Sequence, residues 1–229
     1  MKDRTNLRSR LHPRDAHLID IKRRLIDAAL PHVAFDGWSA GLLVRAAGAA
    51  GVSSGEALRA FPGGAIDAVD FWIGEADRRM LEKLASHDLA AMKIRERIAT
   101  AVLLRLEPLA AHRDAVRRAV SLLALPQHAP RALKSLYRTA DAIWSAAGDT
   151  STDWNYYSKR LLLSGVYSST LLFWLDDRSD GAAATRAFLD RRISDVMQIQ
   201  KLRGWVDRIG ANVTERFSKG SAGRNFRKI

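Results

Sequence analysis

Gly51-Val52-Ser53-Ser54-Gly55-Glu56-Ala57-Leu58-Arg59-Ala60-Phe61-Pro62 holds a turn, a helix start and a helix stop. Gly51 and Val52 make the turn. Ser53 is a helix N-cap, a residue whose side-chain oxygen accepts from a backbone N–H that the helix leaves unpaired. The helix it opens runs through Arg59, and Phe61-Pro62-Gly63-Gly64 breaks it. Upstream, Ser39 caps a second helix that reaches about Ala50. Before that, Leu18, Ile21, Leu25, Ala28 and Ala29 recur at helical spacing and predict a first helix from Asp15 to Val33, stopping before Phe35-Asp36-Gly37. Residues 15–64 therefore read as three helices with a glycine turn between the second and the third.

Helical spacing continues downstream. A long helix is expected from Ala65 to Leu84, with Ile66, Val69, Ile73, Ala76 and Met80 on one side. Further helices are expected at 90–106, 112–125, 131–146, 152–175 and 183–200, with Pro108, Pro126, Pro130, Gly148 and Gly181 as the breaks. No alternating run of strand type occurs. The expected fold class is all-α, with about ten helices. The 229 residues are 47% apolar, enough for a sizeable core. The absence of cysteine excludes disulfides, thiolate zinc sites and a cysteine nucleophile. Leu161 to Leu175 is the longest uncharged apolar run. Its 15 residues fall short of a membrane span, which needs about 20. Asp3, Asp15 and Asp20 and the lack of an apolar leader argue against a secretory signal or transit peptide.

The net charge of +12 lies in the tails. Residues 1–24 carry eight Lys/Arg and three Asp, or +5, and residues 201–229 carry eight Lys/Arg, Asp207 and Glu215, or +6. The intervening body is left at +1. Basic tails attract phosphates, on nucleic acid or on anionic lipid.

The stretch 51–62, with the Ala-rich helix and glycine turn before it, resembles the helix-turn-helix of tetracycline-repressor-type regulators over residues 20–75. In that family the third helix enters the DNA major groove. Here residues 35–70 set Arg45 and Arg59 against Asp36, Glu56, Asp67 and Asp70, a net −2. Duplex binding draws much of its affinity from cations placed against phosphates. The third helix offers base edges little but Ser, Gly, Ala and Leu. No nucleic-acid partner is expected, and a ligand-responsive DNA-binding regulator is the alternative function.

Residues 148–160 are the other distinctive stretch. Asp149, Ser151 and Thr152 are candidate helix caps. From Thr152 onward the helical wheel puts Asp153, Tyr156, Tyr157 and Arg160 on one face, with Trp154, Leu161 and Ser164–Gly165 pointing elsewhere, inward. Spacing alone leaves two arrangements open. One is core aromatics with satisfied hydroxyls, and the other is an exposed aromatic patch rimmed by charge, the chemistry of interface hot spots.

Ala147-Gly148-Asp149-Thr150-Ser151-Thr152-Asp153-Trp154-Asn155-Tyr156-Tyr157-Ser158-Lys159-Arg160 resembles the signature of the lipid-binding accessory proteins of ubiquinone biosynthesis, the COQ9 type. Leu122 to Pro130 and Arg186 to Ile193 match the same family, so the resemblance spans residues 20–200. It implies a repressor-like fold, a homodimer, and an isoprenoid quinone or other lipid held in an apolar pocket. It further implies a membrane surface as partner, and docking to the di-iron hydroxylase that acts on demethoxyubiquinone. The docking positions it implies are Asp141, Ile143, Asp153, Tyr156, Tyr157 and Arg160. Tyr156 stands where the family usually has Trp. The implied location is peripheral: the cytoplasmic face of the inner membrane in a bacterium, or the matrix side in a mitochondrion.

The pocket is expected among the large apolar residues of the C-terminal half, with Leu122, Leu125, Trp144, Leu163, Tyr167, Leu171, Trp174, Phe188 and Met197 as its lining. Small Ser164, Gly165, Ser168 and Ser169 would leave room for a ligand chain. Beyond it, Leu202, Trp205, Val206, Ile209, Val213 and Phe217 fall on one helical face, opposite a basic face. An apolar face with Trp, backed by cations, marks a helix that lies in a membrane interface. The expected divisions are a basic tail (1–14), a helix-turn-helix-like unit (15–64), a lipid-binding domain (65–200), an amphipathic helix (201–217) and a basic tail (218–229). No cofactor, metal site or catalytic residue is expected. None of the six Glu is followed three residues later by His, as di-iron motifs require, and the six His are scattered singly.

Overall fold

A computed structural model describes residues 13–149 and 154–198. Asp153, the basic tails up to residue 12 and from 218, and the 201–217 segment with Leu202, Trp205, Val206, Ile209, Val213 and Phe217 lie outside the described residues. All regular structure among those described is helical.

The helix expected over 15–33 is interrupted. Helix α1 spans Pro13–Ala29, Leu30–His32 form a 3-10 turn, and α2 is Val33–Asp36. Pro31 is the cause, because it lacks the N–H that continues the ladder and its ring crowds the carbonyl one turn back. Helix α3 (Ala40–Ala49) starts where Ser39 Oγ accepts from the Leu42 N–H at 3.1 Å. Gly51, at φ +62°, takes the left-handed conformation of the turn. Helix α4 (Ser54–Ala60) opens with a reciprocal cap. Ser53 Oγ accepts from the Glu56 N–H at 3.2 Å, and Glu56 accepts from the Ser53 N–H at 3.0 Å. The Ser53 hydroxyl, donating to Glu56 Oε2 at 2.6 Å, and the Ser53 N–H hold the Glu56 carboxyl below its ordinary range.

The N-terminal unit closes on a core that includes Leu25, Leu42, Ala57 and Phe61, all buried. Leu25, Leu42 and Phe61 each contribute about 1.5–3 kcal/mol over an exposed side chain. Helix α5 (Ala65–Leu84) joins this unit to the body. Trp38 lies 5.4 Å from Trp72 of α5, centroid to centroid, and its indole N–H donates to the Ala115 carbonyl at 3.0 Å. Arg23 of α1 pairs with Glu75 at 2.8 Å.

The body packs α5 against α6 (Ile94–Leu106) and α8 (Ala129–Ala146), with α7 (Arg113–Leu123) and α9 (Trp154–Asp176) completing the bundle. The sixth helix starts later than expected, at Ile94, because Leu89–Ala91 form a separate 3-10 turn. A last helix, α10, covers 183–198. It is fixed to α9 by Asp177, whose carboxylate accepts from the backbone and hydroxyls of both Ser179 and Thr185. Burial opposes that charge, but these bonds outweigh it and hold the carboxyl far below the usual carboxylate range. Among the described residues no helix is long and apolar enough to cross a membrane.

Candidate functional site

A cavity of about 300 Å³ opens among α5, α6, α7, α8 and α9. Apolar side chains dominate its wall: Trp72 and Ile73 from α5, Val116 and Leu123 from α7, Leu136 from α8, and Leu171 from α9. Ala119, Ala124 and Ala132 leave the space by being small. Ligand pockets have this character, mostly apolar with a few placed polar groups.

The polar groups sit on one buried part of the wall. Arg105 is only 3% exposed, and its Nε donates to Asp77 Oδ1 at 2.6 Å. Its Nη1 donates to the Tyr167 hydroxyl. Thr139 donates its hydroxyl to Asp77 at 3.0 Å. Burial alone would weaken the Arg105 charge, but Tyr167 and Asp77 more than offset it and hold the guanidinium pKa above its ordinary value. Burial likewise pushes the Tyr167 phenol up, only partly countered by Arg105, so it stays protonated at neutral pH. Arg105, Thr139 and Tyr167 line the cavity, whereas Asp77 stands behind them.

Two of the nine residues expected to line a pocket do so, Tyr167 and Leu171. The others have different places. Leu163 and Trp174 are buried core, and Arg113 lies over the Trp174 ring at 4.6 Å. Leu122 is half-buried against the core. Phe188 stacks on Phe173, with centroids 4.5 Å apart and planes 9° apart, which pins α10 to α9. Leu125 and Met197 are exposed. Trp144 donates to the Lys159 carbonyl at 3.0 Å, at the other end of α8. The expectation drew the cavity toward the last helices, whereas α5, α6 and α7 supply much of it. Of the small residues, Ser168 lines it but Gly165 faces outward. Sequence reasoning missed Trp72 and Arg105. A signal for the second was present, since Arg105 is a lone cation in the apolar run 101–106, and Asp77 shares the Ile73–Met80 face of α5.

The second candidate region is where α8 meets α9. Arg160 was expected at the rim of an exposed patch. It is 2% exposed instead, because α9 lays this face against α8. Its Nε donates to Asp141 at 2.6 Å and its Nη1 to Asp149 at 3.2 Å, and its guanidinium lies 3.2 Å from the Tyr156 ring centroid. Tyr156 donates to Asp141 at 2.9 Å, and that bond raises the phenol pKa. Ile143 is fully buried. Tyr157 packs edge-on to Tyr156 at 5.2 Å and is 62% exposed. Next along α9, Leu161 also faces outward, contrary to the wheel reading. The structure thus brings Asp141, Tyr156, Tyr157 and Arg160 together, with Tyr157 outermost and Arg160 as the buried tie. Among the described residues no group of three His, Asp or Glu side chains is placed to hold a metal.

Known proteins resemble both halves of this arrangement. Residues 129–200 match the model of the COQ9 family. The ubiquinone biosynthesis protein COQ9, mitochondrial, of Drosophila melanogaster is 31% identical over 186 residues, 80% of this chain and 57% of the relative. The rat protein of the same name is 32% identical over 78% of this chain and 59% of its own length. The chain therefore spans less than two thirds of the curated relatives it matches. In solved structures, a TetR transcriptional regulator from Nitrosomonas europaea superposes with a TM-score of 0.64 at 25% identity, over 76% of this chain and 96% of the regulator. Residues 129–200 thus match the COQ9 family model, within an all-helical fold like that of a TetR-type regulator.

Proposed function

We propose that this chain is a non-enzymatic lipid-binding protein of ubiquinone biosynthesis. It takes up a polyprenyl quinone intermediate at a membrane and presents it to the di-iron demethoxyubiquinone hydroxylase. The observation that carries this reading is the apolar cavity of about 300 Å³, in a chain whose relatives are named for ubiquinone biosynthesis and for the mitochondrion. A polyprenyl chain hardly dissolves in water, and each methylene it buries contributes about 0.8 kcal/mol. An apolar hollow therefore competes with a bilayer for such a molecule. The hydroxylase then meets the lipid at a protein surface and need not extract it itself.

The α8–α9 corner suits docking. Tyr157 offers a large exposed ring whose backing, through Tyr156, Arg160 and Asp141, is fixed in advance. Rigid aromatic anchors of this kind dominate binding energy at interfaces. Replacing Tyr157 by alanine is expected to leave the unfolding midpoint within a degree or so, since exposed sites contribute about 0.5 kcal/mol or less. Capture of the hydroxylase is expected to weaken by about tenfold or more in a pull-down titration, as for a hot-spot aromatic. Undiminished capture would remove Tyr157 from the interface.

Membrane attachment is assigned to residues 201–217 with the basic tail, a peripheral mode of binding. Sedimentation with vesicles of phosphatidylcholine and cardiolipin tests it. The full chain is expected in the pellet and a chain lacking 201–229 in the supernatant, because each cation near an anionic surface contributes about 1 kcal/mol. Equal sedimentation of both would contradict the assignment.

The TetR likeness favours a second reading, a ligand-responsive transcription regulator. The motif is poorly charged for it: Glu56 is spent in the cap, and Arg45 pairs with Asp36 at 2.8 Å. Sequence-specific duplex binding with a steep salt dependence would establish that reading instead.

A further inference from the structure

The cavity is polar at its buried wall and apolar at its rim. Arg105, Thr139 and Tyr167 are at most 5% exposed, whereas Leu172, which also lines the cavity, is 53% exposed. An amphiphile entering past Leu172 meets hydrocarbon first and hydrogen-bonding groups last.

Most of those groups are already committed. The hydroxyl proton of Thr139 goes to Asp77, and that of Ser135 goes to Asp70 at 2.5 Å. Arg105 places Nε on Asp77 and Nη1 on Tyr167. Tyr167 differs. Its oxygen accepts from Arg105, but its own O–H meets no acceptor among the described residues, so one donor is left over at the cavity wall. A buried donor without an acceptor is unfavourable, and a ligand oxygen would satisfy it. Arg105 fixes that hydroxyl from behind, and Asp77 cancels the charge of Arg105. The buried wall is therefore neutral as a whole, and the Tyr167 O–H is its uncommitted hydroxyl; Ser168, which also lines the cavity, is only half-buried.

We infer that the cavity seats the ring of its lipid head-in, with an uncharged carbonyl or hydroxyl oxygen accepting from Tyr167 and the tail leaving past Leu172. It follows that the site discriminates against the same ring bearing an ionised carboxylate. An anion would shed its water and find the cation that lines the cavity, Arg105, already paired with Asp77. Handover then requires the ring to leave this wall. This inference rests on the lipid-binding reading and adds the orientation and head-group class to it.

Calorimetric titration of the delipidated full-length protein tests it, with three probes that share a ten-carbon tail. Decylubiquinone has carbonyl oxygens, decylbenzene has none, and 4-decylbenzoic acid is ionised at neutral pH. Wild-type protein is expected to bind decylubiquinone about tenfold or more tighter than 4-decylbenzoic acid. Tyr167→Phe is expected to weaken decylubiquinone by about tenfold, the size of one lost hydrogen bond in a dry site, and to leave decylbenzene unchanged. If Tyr167→Phe weakens both probes alike, or neither, or if the benzoate binds wild-type protein as well as the quinone does, the head-in seat is wrong while lipid binding stands. If no probe binds wild-type protein, the lipid-binding reading fails and this inference falls with it. Should the variant not fold, the wild-type comparison of quinone with benzoate still decides.

Discussion

Arg105→Met is expected to lower the unfolding midpoint by on the order of 10 °C, the shift for about 3–5 kcal/mol in a domain of this size. Methionine nearly matches the length and apolar bulk of the arginine stem, so the loss is chiefly electrostatic. It leaves the Asp77 carboxylate buried, with Thr139 as its near partner and Arg138 only at 3.8 Å. It also strips Tyr167 of the guanidinium beside it. Scanning calorimetry of three variants separates these effects. Asp77→Leu alone strands the arginine and is expected to cost about as much as Arg105→Met. The double variant is expected to recover more than half of either loss, since it removes both charges from the interior together. Additive losses would mean that the pair does not act as a unit.

The second large effect concerns the ligand. Ala119, on α7, is 5% exposed and lines the cavity. Ala119→Phe places a ring in space that is open in the folded chain, so the usual penalty for overpacking, about 1–3 kcal/mol, is not expected in full. The midpoint should hold or rise slightly. Lipid loading should fall steeply. Excluding about three ligand methylenes costs ~2.4 kcal/mol, on the order of fiftyfold in affinity. Phe188→Ala is the contrasting variant. Phe188 packs on Phe173 outside the cavity, so its loss is expected to loosen α10 and lower the midpoint without abolishing loading.

These two residues show what a sequence reveals and what it hides. The N-terminal unit was legible because its punctuation is local: Ser39 and Ser53 cap, Gly51 turns, and Pro62 stops. The helical character of the body was legible for the same reason. Pro31 is a break inside the first apolar stretch, and its 3-10 turn is the local outcome of a missing N–H. The cavity was far less legible. Choosing large apolar residues selects the side chains that fill a core, and Leu163 and Trp174 do so. Empty space arises where facing residues are small, and Ala119, Ala124 and Ala132 are inconspicuous among the many alanines of the chain. The α8–α9 corner failed differently. A helical wheel groups Tyr156, Tyr157 and Arg160 correctly, but only the position of α8 determines which of them is covered. Asp141 and Asp149, both within twenty residues of Arg160 in sequence, draw it inward and leave Tyr157 outside.

Mass spectrometry of lipids carried by the full-length chain, purified from membranes under mild detergent, measures the central claim most directly. An isoprenoid quinone species is expected in near-stoichiometric amount with the wild-type chain and is expected to be depleted from Ala119→Phe. A wild-type preparation free of isoprenoid species, or one in which Ala119→Phe retains its full load, would contradict lipid carriage in this cavity.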